Sequence, residues 1–304
     1  MSTLTANQLR GVFAPVVTTF APGSGDIDAA AFVANMQAHL AAGMSGIVVA
    51  GSTGEAALLD NAERLAIVDA ARATVPDDKI LIVGTGQEST RATIRLTRDV
   101  AARGADAVLV VAPHYYASSM TLPVLEQHYR AVIDASPVPV ILYTIPKYMH
   151  FPLPAELVAD LSTHENVIGI KDSSGNRELF AGYLASQSPT FTVVTGNAQL
   201  FHHSLDVGGR GGILAGALFA GGLAVDIFDA VSRGDHATAA VLQSRFTPIG
   251  AKIVGELGVP GVKAAMDRVG LTGGPVRSPL QPLDDAQLDA IDEMLKSAEL
   301  AAAA

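Results

Sequence analysis

The sequence predicts an α/β fold, a closed (β/α)8 TIM barrel followed by a C-terminal helical appendage. Three observations carry that reading. Eight short apolar runs occur between the N-terminus and Ala215 of the 304-residue chain, an amphipathic stretch separates each run from the next, and the rhythm stops after the eighth. The runs are nearly continuous Val, Ile and Leu rather than alternating, as strands of a parallel sheet covered on both faces must be. Eight is also the number of strands at which side chains just fill a closed interior. An open doubly wound sheet is the alternative, but no run is followed by G-x-G-x-x-G, and Gly84-Thr85-Gly86 is too short to serve as that fingerprint.

Taken in order, the first run is Val12 to Thr18, closing on Thr18-Thr19. Asp28 to Leu40 then reads as a helix, with Phe32, Met36 and Leu40 spaced by four. The second run, Gly46 to Ala50, opens into Gly51-Ser52-Thr53-Gly54-Glu55. A helix over Glu63 to Ala73 follows, carrying Leu65, Ile67 and Val68, with Asp60 placed to cap it. After the third run, Ile80 to Gly84, the helix Thr90 to Arg103 is expected to show Ile94 and Val100 on one side and Arg91, Arg95 and Arg98 on the other. The fourth run, Ala107 to Ala112, leads into Pro113-His114-Tyr115-Tyr116, and the fifth is Val138 to Tyr143. The sixth, Val167 to Ile170, continues into Lys171-Asp172. The seventh, Phe191 to Thr195, closes on Gly196-Asn197, and the eighth is Gly212 to Ala215.

Beyond it, Gly222 to Ser232, His236 to Gly255, Val262 to Val269 and Asp285 to Leu300 read as helices with no further strand. Pro248 should kink or break the second of them. The expected division is a catalytic barrel over 1–233 and a helical region over 234–304, with the Ala301 to Ala304 tail frayed.

Composition narrows the function. Twenty Lys and Arg stand against thirty Asp and Glu, a net charge of −10, so no basic stripe exists to hold nucleic acid through its phosphates. Hydrophobic residues at 49% with 16% charged are enough for a core and exclude disorder. The chain has no cysteine, which removes disulfides, thiolate nucleophiles, iron–sulfur clusters and thiolate-bound zinc. Met1 to Gly11 has no signal-peptide pattern, and no uninterrupted apolar stretch approaches the length of about 18 residues that spans a bilayer. A cytoplasmic protein with neither nucleic-acid nor membrane partners is expected.

In a βα barrel, reactive groups sit at the carboxyl ends of the strands. Hydroxyls and one lysine dominate those positions here. Lys171 continues an apolar strand into Ser173-Ser174-Gly175; desolvation there disfavours the ammonium and lowers the pKa toward a free amine able to attack a carbonyl. The alternative is a lysine that lays its stem on apolar surface with its head in water. Lys147 falls in a loop where solvation is expected. Gly51-Ser52-Thr53-Gly54 offers hydroxyls and successive N–H groups suited to a carboxylate or phosphate, or it is simply a tight turn. Tyr143 reads equally as a core tyrosine or as a proton shuttle in need of a nearby hydroxyl. His202 and His203 are adjacent and point to different sides of a helix, and no ligand-spaced cluster accompanies them, so no metal is expected.

The combination of Gly51-Ser52-Thr53-Gly54-Glu55, Tyr143-Thr144-Ile145-Pro146 and Gly169-Ile170-Lys171-Asp172, in that order, resembles the pyruvate-dependent class I aldolases of the dihydrodipicolinate synthase and N-acetylneuraminate lyase family, from about Gly11 to Leu283. Within it, Gly86-Gln87-Glu88-Ser89-Thr90, Pro113-His114-Tyr115-Tyr116, Lys171-Asp172-Ser173 and the stretch from Pro260-Gly261-Val262-Lys263 through Gly273-Gly274-Pro275 to Pro279-Leu280-Gln281 are most similar to 4-hydroxy-2-oxoglutarate aldolase.

The resemblance implies that Lys171 forms an imine with a 2-oxo acid such as pyruvate and that Tyr143 moves protons. Ser52 would relay them and, with Thr53, hold the carboxylate. No metal and no diffusible cofactor are then required. Gly51, Ser173, Asn197 and Ile213 complete the expected substrate-binding set. Tyr115 matches a tyrosine that enters a neighbouring subunit's site in tetrameric members, which implies a homo-oligomer, tetramer or dimer. Where dihydrodipicolinate synthases carry an arginine for the aldehyde's carboxylate, this chain has Tyr148, preceded by Lys147, which departs from bidentate recognition. Ser52 replaces a commoner threonine and keeps the hydroxyl.

Dihydrodipicolinate synthase itself and a 2-keto-3-deoxy sugar acid aldolase or dehydratase are the rivals within this chemistry. From other classes come a catalytically silent small-acid sensor, which would be marked by loss of Lys171 or Tyr143, and a nicotinamide oxidoreductase, which lacks its glycine motif.

Overall fold

Residues 4–300 are described by a computed structural model, in which eight parallel strands pair in chain order and the last closes onto the first. The strands are β1 Gly11–Pro15, β2 Gly46–Val49, β3 Ile80–Gly84, β4 Ala107–Val111, β5 Val140–Thr144, β6 Val167–Asp172, β7 Thr192–Thr195 and β8 Gly211–Ile213. Helices α1 Ala29–Ala41, α2 Asn61–Thr74, α3 Thr90–Ala101 and α4 Leu122–Ala135 follow the first four strands. Helices α5 Pro146–Met149 and α6 Ala155–Leu161 both follow β5, α7 Arg177–Leu184 follows β6, and α8 Phe201–Asp206 follows β7. After β8 come α9 Gly221–Ser232, α10 His236–Ile249, α11 Gly258–Arg268 and α12 Asp285–Ser297. The barrel with C-terminal helices read from the eight runs is the observed fold; the Ala301 to Ala304 tail lies outside the described residues.

Side chains alternate between two apolar layers. Phe13, Val48, Ile82, Leu109, Ile141, Tyr143, Val194 and Ile213 fill the lumen, and Leu4, Ala6 and Leu9 share that cluster. Their strand neighbours Val12, Val49, Val83, Val110, Leu142 and Val193 face outward against the helices. Helix starts follow local chemistry. Asp28 accepts from Ala31 N–H at the head of α1, and Asp60 and Glu63 form a reciprocal capping box on α2; each cap contributes about 1 kcal/mol.

Some expectations are corrected. On α3 the buried face is Thr93, Leu96, Thr97 and Val100, while Ile94 lines a shallow cleft with Arg91, Arg95 and Arg98. Ile94 is three residues from Arg91 and four from Arg98, spacings that share a helical face. Lys147 lies on the short helix α5, not in a loop, and is exposed as expected. The α-helical hydrogen bonding of α10 stops at Ile249, just after Pro248, and the chain continues as a π-helix over Gly250–Glu256. The helix expected from Val262 begins at Gly258, with Pro260 tolerated in its first turn. Ile249, Ile253, Val262, Ala265 and Met266 are buried in the same apolar layer as the outward strand residues. No helix among the described residues is long and apolar enough to cross a membrane.

Candidate active site

The carboxyl ends of β2, β5, β6, β7 and β8 open into one cavity of about 260 Å3, lined by Ser52, Thr53, Tyr143, Lys171, Ser173, Asn197 and Ile213 among others. Its centre is Lys171. The side chain is buried, with the residue 6% exposed, and its Nζ stands over the Tyr143 ring, 4.3 Å from the centroid. No carboxylate among the described residues lies within ion-pairing distance. Burial alone therefore acts on the amine and lowers its pKa to about 7. At neutral pH about half the amine is free, against roughly three in ten thousand for an ordinary lysine. Tyr143 moves the other way: burial raises its pKa, and the hydroxyls of Ser52 and Ser173 pull it partly back. The phenol is thus a proton-bearing group beside a partly unprotonated amine.

The turn after β2 is held in a strained form. Ala50 at φ +53° and Glu55 at φ +55° bracket it, each a left-handed conformation costing about 1–3 kcal/mol for a residue with a side chain. Gly51 O accepts from Gly54 and Ala56 N–H, and Glu55 N–H donates to Ser52 O. This leaves the N–H groups of Ser52 and Thr53 without a partner among the described residues, a nest of donors suited to a carboxylate. Thr18 Oγ1 donates to Gly54 O at 2.7 Å and pins the turn from β1.

The carboxylate of Glu55 anchors the turn from behind. Its Oε1 is 2.5 Å from Lys263 Nζ on α11, with both side chains sealed from solvent, and its Oε2 accepts from Arg277 N–H at 2.9 Å. Lys263 also donates to Pro275 O at 2.8 Å. Arg277 grips Glu63 with both guanidinium arms at 2.7 and 2.6 Å and donates to Gly25 O and Leu58 O. Both cations stack on Phe20, at 4.5 Å for Lys263 and 4.2 Å for Arg277. Burial lowers the Lys263 pKa, and Glu55 partly restores it. Reading along the chain missed this hub, whose members are separated by about two hundred residues. Glu55 and Lys263 both fall in stretches that carry the resemblance, but nothing along the chain pairs them.

Ser173 and Gly196 fit the amine closely. A methyl added at Gly196 would lie 1.9 Å from Ser173 Oγ and 2.8 Å from Lys171 Cε, so only glycine leaves Lys171 its place. Asn197 lines the cavity, but its Oδ1 is occupied in accepting from Gln199 and Leu200 N–H. Two expected residues stand apart. Gly51 shapes the turn without lining the cavity, and Tyr115 is 78% exposed, packed edge-on against Tyr116. Glu88 holds that loop by accepting from His114 and Tyr115 N–H at 3.0 and 2.8 Å. Thr18, Thr19 and Thr85 spend their hydroxyls on structural bonds.

The outer wall is one that motifs did not reveal. It is formed by Gly250, Val254 and Gly255 of the π-helix with Val259 and Val262 of α11. Facing it from α5 are Lys147 and Tyr148. Lys147 Nζ donates to Gly255 O at 2.7 Å and retains two further donors. Lys147 and Lys171 are the charged side chains that line the cavity, and no acidic side chain accompanies them.

The model of the dihydrodipicolinate synthetase family matches residues 8–298. A 4-hydroxy-tetrahydrodipicolinate synthase of Methanoculleus marisnigri is 31% identical over 288 residues, 94% of this chain and 98% of that one. A protein of Emericella nidulans described as a probable mitochondrial 4-hydroxy-2-oxoglutarate aldolase is 41% identical over 212 residues, 68% of each chain. Among solved structures, Escherichia coli K12 YagE, a prophage protein of the dihydrodipicolinic acid synthase family crystallised with pyruvate, superposes with a TM-score of 0.91 at 28% identity, covering 96% of this chain and 99% of that one. Dihydrodipicolinate synthase DapA-2 of Bacillus anthracis gives 0.90 at 28% identity, covering 95% and 98%.

Proposed function

The chain belongs to the dihydrodipicolinate synthetase family, and from that premise we propose that it cleaves 4-hydroxy-2-oxoglutarate to pyruvate and glyoxylate, reversibly, through an imine on Lys171. It is a carbon–carbon lyase of the pyruvate-dependent aldolase type. The observation that carries the reading is the buried amine of Lys171, about half of it uncharged at neutral pH, over the Tyr143 ring in a cavity lined by one further lysine and no acidic side chain. Residues 1–233 would supply the reacting groups, and 234–304 the outer wall and the support behind the β2 turn.

The free amine of Lys171 adds to the C2 carbonyl, whose oxygen leaves as water after protonation, giving an iminium. Loss of the proton from the C4 hydroxyl drives that oxygen to a carbonyl as the C3–C4 bond breaks. The bond's electrons pass to C3 and the iminium nitrogen, forming an enamine, and the aldehyde leaves. Protonation at C3 and addition of water then return pyruvate and the amine. Tyr143 is the group positioned to move these protons, with the Ser52 hydroxyl beside it. The C1 carboxylate would sit on the free N–H groups of Ser52 and Thr53, with Ser173, Asn197 and Ile213 around the chain of the acid. Nothing in this sequence of steps requires a metal or a diffusible cofactor.

Lys147 supports an acidic second substrate. Lys147 is the cation that lines the cavity beside the imine-forming amine, and it favours a second substrate bearing a carboxylate over a neutral sugar-derived aldehyde. Condensation of pyruvate with aspartate semialdehyde is the second reading, favoured by the length over which the synthase relatives match. Side-by-side kcat/KM values for cleavage of 4-hydroxy-2-oxoglutarate, cleavage of 2-keto-3-deoxygluconate and condensation with aspartate semialdehyde decide the matter. Greatest activity on the deoxy sugar acid would overturn the acidic assignment. Failure of borohydride to trap pyruvate on Lys171 would overturn the imine.

The exposed Tyr115 and Tyr116 support self-association through the loop between β4 and α4. No nucleic-acid or membrane partner is proposed, and a cytoplasmic location is the expected one.

A further inference from the structure

His202 and Asp206 stand one turn apart on α8, and His236, the first residue of α10, comes to meet them. His202 Nε2 lies 3.1 Å from Asp206 Oδ2, and His236 Nδ1 lies 2.6 Å from Asp206 Oδ1. One ligand atom from each residue falls within 4.8 Å of the others. The sequence drew attention to His202 and His203, neighbours that diverge. The residue that converges on His202 is 34 positions away, on another helix.

We propose that His202, Asp206 and His236 form a surface site for a divalent transition-metal ion of the zinc class. Two imidazoles and a carboxylate are a donor set for such an ion, with a fourth position left to water. Bonds of about 2.0–2.2 Å in tetrahedral geometry need donor atoms about 3.3–3.5 Å apart, which modest torsions of the exposed His236 side chain supply. Three further features support the site. His202 Nε2 is buried and has no hydrogen-bond partner of acceptable geometry among the described residues, so its lone pair or proton is unspent where the ion would sit. The two helices are already locked in register, because Gln243 on α10 accepts from His202 N–H at 2.8 Å and donates to Ala198 O at 2.9 Å. The Asp206 carboxylate, set between the two imidazoles, supplies a negative charge that favours a cation.

The site lies outside the cavity that holds Lys171, so the ion's role would be mechanical. It would tie α8, which follows β7, to the head of α10, whose π-helical continuation walls the cavity.

The test is calorimetric titration of the metal-free full chain with ZnCl2, repeated on His202→Gln, His236→Gln and the neighbouring control His203→Gln. One Zn2+ per chain is expected at micromolar affinity or tighter, weakened at least tenfold in the first two variants and unchanged in the control. Zn2+ should also raise the melting temperature of the wild type but not that of His236→Gln. Co2+ should give the visible absorption bands of a tetrahedral nitrogen and oxygen site. If a variant fails to fold, shown by metal-free melting unlike the wild type, Asp206→Asn takes its place with the same expected loss. Binding that is absent, or equally strong in both histidine variants, or lost equally in the control, overturns the proposal.

Discussion

Lys171 meets Tyr143 in the lumen because β6 carries one residue more than β5 below their level. Val140 pairs with Val167, but Ile141 pairs with Gly169, leaving Ile168 as the extra residue before Tyr143 comes opposite Lys171. Ile168 belongs to the lumen cluster and Ile170 to the outer layer, although the two share parity along the strand. Without that bulge, strict alternation would turn Lys171 out toward the helices. Bulges re-aim side chains in this way beside active sites.

The low pKa of Lys171, about 7 against 10.5 for an ordinary lysine, sets two pH dependences. The unfolded chain binds more protons than the folded one between those values, so the stability tied to this group rises with pH across the window, and its burial penalty is fully present below pH 7. Lys171→Met should therefore melt higher than the wild type at pH 6, with the gap narrowing by pH 9. kcat/KM should climb through pH 7 and level off above it. A melting gap indifferent to pH would show that the amine is solvated.

Tyr143→Phe should lower kcat by about 10²–10⁴-fold, the ordinary contribution of a positioned acid–base group. Borohydride trapping of pyruvate on Lys171 should persist, because the ring that shelters the amine remains. Unchanged turnover would make Tyr143 a packing residue.

Lys147→Met should raise KM for a carboxylated aldehyde by up to about fivefold, in line with losing an exposed ion pair worth up to about 1 kcal/mol. Pyruvate trapping should be unaffected. Equal losses with a neutral aldehyde would indicate damage to the cavity wall rather than loss of a charge partner.

Glu55→Gln and Lys263→Met should each destabilise the fold by about 3–5 kcal/mol, since each strands a buried charge. The double variant should lose less than the sum of the two in denaturant melts. Additive losses would mean that the pair is not coupled.

Tyr115→Ala should shift the chain toward a smaller species in sedimentation and lower its activity most at low protein concentration. A wild-type chain that sediments as a monomer at assay concentration would exclude shared sites.

The barrel was legible because parallel strands buried on both faces leave an unmistakable apolar signature, repeated eight times. Lys171, Tyr143, Ser52 and Thr53 were legible because each closes a run, where barrel geometry gathers side chains. The bulge at Ile168 was not, since an extra residue in an all-apolar strand changes facing without changing composition. Nor was the π-helical wall, whose Gly250, Val254 and Gly255 carry no chemistry of their own, nor the side of α3 that Ile94 takes, which depends on helical phase rather than on hydrophobicity. Glu55, Lys263 and Arg277 are unremarkable charges until the fold brings them together.

The bond between Glu55 and Lys263, backed by Arg277, means that a turn made early in synthesis is braced by residues made late. A nascent chain whose first six strands have left the ribosome has the lysine and the tyrosine but not the brace behind Ser52 and Thr53. Competence to hold a keto acid should therefore arrive in one step, once Lys263 and Arg277 have been made and folded back. A truncation ahead of Arg277 should leave a barrel that keeps Lys171 and Tyr143 but has a slack turn at Ser52 and Thr53.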